Sequence, residues 1–127
     1  MDALSDLLRI VRLTGAVFMD AEFTAPWCIG EPSGVEVCIQ HLPDAKHVVI
    51  YHLVMEGGCE VALVGESPRS ARAGELIVIP GGEAHALGSD LSRPRADGAK
   101  LVIQRGPDEA PQVRYGGGGA VTKMVCG

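Results

Sequence analysis

The chain has 127 residues, enough for one domain with its own core and too few for two. A formal charge of -5 and a pI near 5.3 exclude an unaided grip on nucleic acid or on an anionic membrane surface. No apolar run approaches the ~20 residues that span a bilayer, and the acidic start MDALSDLLRIVRL is not a secretory leader, so the expected compartment is the cytoplasm.

In chain order, residues 3–13 read as one amphipathic helix. Leu4, Leu7, Leu8 and Val11 recur at helical spacing, Asp2, Asp6, Arg9 and Arg12 are polar, and Gly15 ends the pattern. Beyond it the chain carries short runs of strand formers between glycines, prolines and acids. They fall at 16–24, 35–42, 47–56, 59–64, 75–79, 84–88, 100–105, 111–115 and 121–126. Seventeen glycines and eight prolines supply the corners that so many short strands need. The fold class is therefore mainly β, an antiparallel sandwich or small barrel behind one N-terminal helix.

The stretch HVVIYHLVMEGGCEVALVGE, residues 47–66, reads as two apolar strands joined by a hairpin at Gly57-Gly58. Its first run is apolar on both faces, which suits a strand covered on both sides, and His52 shares a face with Val48, Ile50 and Val54. Residues 89–100 form a polar loop. The run YGGGGAV, residues 115–121, reads as a surface loop, either a mobile hinge or a bend where backbones pass closely.

The four cysteines, Cys28, Cys38, Cys59 and Cys126, form no CxxC pair and match no zinc-finger spacing. In a reducing compartment they read first as small buried hydrophobes, with a redox-sensing pair as the alternative and metal ligation behind both.

The segment GELIVIPGGEAHALGS, residues 74–89, matches a longer pattern. Gly74, Pro80, Gly82 and His85 stand at the spacing of the second sequence motif of the cupin superfamily, which this stretch resembles. Ser89 stands where that motif usually has asparagine. The resemblance implies a jelly-roll barrel, a double-stranded β-helix, over residues 16–126, with 1–127 forming a single domain.

The first cupin motif is not matched. Setting Gly57 on its glycine puts Ile50 at the glutamate position, and the two histidine positions fall on Pro43 and Ala45, or on Asp44 and Lys46. The usual metal triad is thus absent. His85 alone is not a metal site, and a rebuilt divalent-metal site from His52, His85 and a cysteine ranks far behind a cupin without metal or other cofactor. His41 and His47 have no companions.

A tighter likeness covers nearly the whole chain. MDALSDLLRIVRLTGAVF, APWC, HVVIYHLVMEGGCEVAL, AGELIVIPGGEAHALG and RYGGGGAVTKMVCG, in that order, resemble the amino-terminal cupin of a subset of AraC-type bacterial transcription regulators. Gly81 departs from it, standing where members often carry a histidine. The resemblance implies a sensor of a small-molecule effector or an oxidant, possible homodimers, and DNA binding only through a C-terminal helix-turn-helix region. No such region lies within these 127 residues, so the chain reads as an excised sensor domain or a fragmentary gene product.

Strand parity makes His52, Val54, Glu56, Ile77 and His85 the candidates for a ligand pocket, unless side chains simply fill the lumen. Cys28, Cys38, Cys59 and Cys126 are the candidates for a thiol-based redox sensor. A stand-alone ligand-binding cupin is a further alternative. No catalytic residue is assigned, because an enzyme reading has no motif behind it.

Overall fold

The computed structural model describes residues 19–34, 44 and 46–127. The expected helix at 3–13, the expected strand at 35–42, His41 and Cys38 lie outside the described residues. Among the described residues there are eleven strands: β1 Met19–Thr24, β2 Cys28–Glu31, β3 Ile50–Glu56, β4 Gly58–Leu63, β5 Arg69–Arg72, β6 Leu76–Ile79, β7 His85–Gly88, β8 Ala96–Asp97, β9 Val102–Ile103, β10 Gln112–Gly116 and β11 Val121–Cys126. A short 3-10 turn, Gly98–Leu101, separates β8 from β9. Among the described residues no helix is long and apolar enough to cross a membrane.

The strands form two facing sheets, β6-β3-β11-β1-β10-β9 and β5-β4-β7-β2-β8. Most neighbours are antiparallel, but β1 pairs parallel with β10 and β2 parallel with β8, so both sheets are mixed. Successive residues alternate between the faces, and the register stacks the apolar ones on the inner side. Ala21 and Phe23 on β1 oppose Met124 and Thr122 on β11, and Met124 in turn opposes Val54 on β3. From the other sheet Ile29, Cys59, Ala71 and Leu87 join the same cluster, with Trp27 from the turn between β1 and β2. Phe23 and Trp27 stack with ring centroids 4.0 Å apart and planes 8° from parallel.

The hairpin expected at Gly57-Gly58 is not there. β3 belongs to one sheet and β4 to the other, so the two do not pair with each other. Gly57 is the corner where the chain changes sheet: its φ is +74°, and a Cβ would overlap the carbonyl oxygen of Val121. Two apolar runs around a glycine pair look the same in sequence whether they fold back on each other or cross between layers. In a jelly roll they cross.

The four-glycine run is a close crossing. Gly117 N–H donates to the Thr24 carbonyl, Gly118 N–H to Thr24 Oγ1 and Gly119 N–H to the Ala25 carbonyl. Cβ atoms at Gly116, Gly117 or Gly119 would all collide with the Thr24–Pro26 segment, whose Ala25–Pro26 bond is cis. Three strands, β2, β5 and β8, were not expected. β8 and the start of the 3-10 turn fall inside the stretch expected to be loop, while the strand expected at 100–105 shrinks to two residues.

Candidate functional site

The corner after β6 delivers His85 to the inner face. Gly82 adopts φ +64° and packs so tightly that a Cβ would press on the Val48 carbonyl, and β7 begins three residues later. β7 lies between β4 and β2, so all four of its residues are buried. His85 and Leu87 share the inward parity, with Glu31 and Ile29 beside them on β2 and Leu63 and Val61 beside them on β4.

Ser89, at the departing motif position, brackets β2. Its Oγ accepts from Trp27 N–H at 2.8 Å and donates to the Trp27 carbonyl at 3.3 Å, while its own N–H donates to that carbonyl at 3.0 Å. Trp27 Nε1 is buried without a hydrogen-bond partner among the described residues.

His52 reaches the lumen from the opposite sheet, where it is the register partner of both Ile77 on β6 and Cys126 on β11. Its Nδ1 lies 2.9 Å from Cys126 Sγ, and its Nε2 lies 2.9 Å from His85 Nε2. The far nitrogen of His85, Nδ1, is 2.9 Å from the Glu83 carbonyl oxygen. Four polar groups thus form one hydrogen-bonded row across the barrel, and both imidazoles are at most 3% exposed.

Acceptor chemistry fixes the direction of that row. A carbonyl only accepts, so His85 Nδ1 carries a proton and donates it to Glu83. Burial holds the His85 pKa below the ordinary imidazole value, against the opposing pull of the Glu83 carbonyl, so the ring is neutral and its Nε2 is an acceptor. His52 Nε2–H must then donate to it. Burial, with the His85 ring as the second cause, lowers His52 to about 3, so that ring is neutral too and its Nδ1 accepts from the Cys126 thiol. Cys126 is pushed up to about 12 by burial first, then by Glu31, Cys59 and Asp20. The resting state is an uncharged relay, Cys126 S–H to His52, His52 to His85, His85 to Glu83.

The donors do not converge as a metal site requires. Cys126 and His85 sit on opposite nitrogens of His52, so one ion cannot take all three at once. Among the described residues no group of three or more His, Cys, Asp or Glu side chains is arranged to hold a metal ion.

Sequence reasoning missed Glu31. It is half-buried on the inner face of β2, its carboxyl pushed up to about 7 by burial and by Asp97. Its strand, CIGE, is too short and too glycine-broken to announce itself. Only the parity with Ile29, once β2 is known, turns Glu31 inward.

The remaining candidates divide. Val54 is wholly buried in the core, and Ile77 packs against it half-buried. Glu56 lies exposed at the end of β3, 3.5 Å from Lys123 Nζ. Among the redox candidates, Cys59 and Cys126 share the central apolar cluster, and Cys28 is buried outside it. Burial raises all three thiols, Cys59 to about 11. His47 is exposed. An open surface depression of about 400 Å³ is lined by Leu63, Val64, Glu66, Glu83 and Ala84, and His85 is not part of its wall.

Comparison with known proteins agrees with this architecture. No curated protein and no solved structure matches the chain. The family model described as Cupin matches residues 2–127. Two facing sheets, the glycine-turned corner and the inward histidine after it are thus those of a cupin, and the chain belongs to the cupin family.

Proposed function

We propose that this cupin is the effector-sensing domain of an AraC-type transcription regulator. It works in the cytoplasm, carries no catalytic activity of its own, and controls DNA binding by a helix-turn-helix region that is not among these residues. The observation that carries the reading is the neutral relay through His52 and His85 inside the largely apolar core between the sheets. A core needs no such polar row for stability, since each buried polar group costs free energy unless it is fully partnered. A few placed polar groups in an apolar chamber are, however, the ordinary form of a small-molecule site. The five-segment likeness supports the regulator context.

Two measurements test it. The reading frame beyond codon 127 in the source DNA should continue into two helix-turn-helix patterns, and an immediate stop would overturn the regulator reading. Thermal melting of the 127-residue chain against a small-molecule panel should find compounds that raise Tm in the wild type and not in His52→Leu. A panel without any such compound counts against a sensing lumen.

A second reading is a thiol-based redox sensor, favoured by Cys59 and Cys126 meeting in one cluster. Mild peroxide should then remove two free thiols and lower the intact mass by about 2 Da, one disulfide's worth of hydrogen. Retention of every thiol overturns that reading.

A further inference from the structure

We propose that Cys126 is a lumen nucleophile that adds to small soft electrophiles of the α,β-unsaturated carbonyl class, with His52 as its base and His85 as a positioning residue. The inference rests on the sensor reading and names the class of effector. Its basis is the Cys126–His52–His85 row itself: a nucleophile within hydrogen-bond reach of a base, and that base held by a third group.

The comparison that isolates the effect is internal. Cys28, Cys59 and Cys126 are all buried, at 2%, 7% and 8% exposure, and burial raises all three thiols. Exposure does not separate Cys59 from Cys126. A base does: Cys126 has an imidazole nitrogen at 2.9 Å, and no such contact is found for Cys59 among the described residues. A buried thiol lacking a base is inert because the thiolate it must become has no solvent to stabilise it. With His52 Nδ1 already accepting the S–H, the proton leaves as the carbon–sulfur bond forms, and no free thiolate need exist beforehand.

The step balances without an oxidant or leaving group. Sulfur bonds to the β-carbon of the electrophile, and the C=C π pair moves towards the carbonyl oxygen as an enolate. As the carbon–sulfur bond forms, the thiol proton moves onto His52 Nδ1, and the negative charge of the enolate beside the ring offsets the burial that keeps the imidazole neutral at rest, while Nε2 still donates to His85. That proton then returns to the α-carbon. The product is a thioether, and the relay is restored to its neutral form.

The test uses N-ethylmaleimide and cyclohexenone on the folded chain at pH 7, with peptide mapping by mass spectrometry to give a rate for each cysteine. Cys126 is expected to react at least tenfold faster than Cys59. Equal rates, or Cys59 ahead, would overturn the proposal without any variant. His52→Leu is expected to remove the advantage, and its persistence in a folded variant would also overturn the proposal. Should His52→Leu unfold, His85 supplies the second arm. His85→Leu leaves the base but not its support and should slow Cys126, while His85→Gln, which keeps an acceptor for His52 Nε2–H, should restore part of the rate. Equal rates in both His85 variants contradict the positioning role. Failure here stays distinct from failure of the sensor reading. An inert Cys126 in a chain whose Tm still responds to ligands overturns this proposal alone, and a reactive Cys126 in a chain that responds to no ligand overturns the other alone.

Discussion

His52 and Cys126 are direct register partners across the β3–β11 ladder, and their side chains meet inside the barrel with Nδ1 and Sγ 2.9 Å apart. Sheet pairing thus sets the first link of the relay, while the second, from His52 to His85, crosses between the sheets. Any change that slips β11 against β3 breaks the first link. Any change that separates the sheets breaks the second.

The relay makes stability pH-dependent with a definite sign. His52 and His85 have folded pKa values below the unfolded ~6.5, so the unfolded chain binds the extra protons as pH falls and stability is lost in acid. Glu31 works oppositely: held at about 7 when folded, its contribution is complete at low pH and is lost as pH rises through about 7. Between pH 7 and 5 the Glu31 gain, about 2 kcal/mol, opposes the histidine loss and hides most of it. From His52 alone the loss over that range is about 2 kcal/mol. Urea titrations at both pH values check this: Glu31→Gln, which removes the opposing carboxyl, should uncover an acid loss of at least about 2 kcal/mol between pH 7 and 5.

Coupling along the relay should be strongly non-additive. His52→Leu leaves His85 Nε2 and the Cys126 thiol buried without their partner and should cost about 2–3 kcal/mol. Adding His85→Leu removes one orphan, so the double variant should cost less than the sum of the singles by about 1–2 kcal/mol. A double-mutant cycle in urea gives that difference directly.

The glycine crossing separates space from backbone strain. Gly116→Ala would drive a methyl into the Thr24 carbonyl oxygen and should cost about 3 kcal/mol or more. Gly118 also has positive φ but opens onto empty space, so Gly118→Ala should cost only about 1–2 kcal/mol. Melting curves of the two variants side by side test the ranking.

Ser89→Ala removes the hydroxyl bridge to both Trp27 backbone groups while sparing the Ser89 N–H bond to the same carbonyl. It should cost about 1–2 kcal/mol. Trp27 is the only tryptophan, and it is buried, so its fluorescence reports on the bracket. The emission of the folded variant should stay blue-shifted while its urea midpoint falls.

Much of the fold was legible because strand parity and corner residues are local. The motif from Gly74 to His85 announced both the turn and the inward histidine, and the alternation in β3 put His52 and Val54 on the inner face. What failed was pairing. No local signal says that Gly57 changes sheet, since the partner of β3 lies at β6 and β11, about 25 and 70 residues on. The relay was half visible for the same reason. His52 and His85 were singled out, and Cys126 was noticed only as one thiol among four. Their meeting depends on long-range register. Glu31 had no signal at all until β2 was seen to pair with β7.

The most direct test of the neutral relay is a long-range nitrogen–proton correlation spectrum of the imidazoles in ¹⁵N-labelled protein at pH 7. The account predicts two neutral rings of opposite tautomer, His52 protonated on Nε2 and His85 protonated on Nδ1. An imidazolium at either position, or a proton on His52 Nδ1, would contradict it and would leave Cys126 without its base.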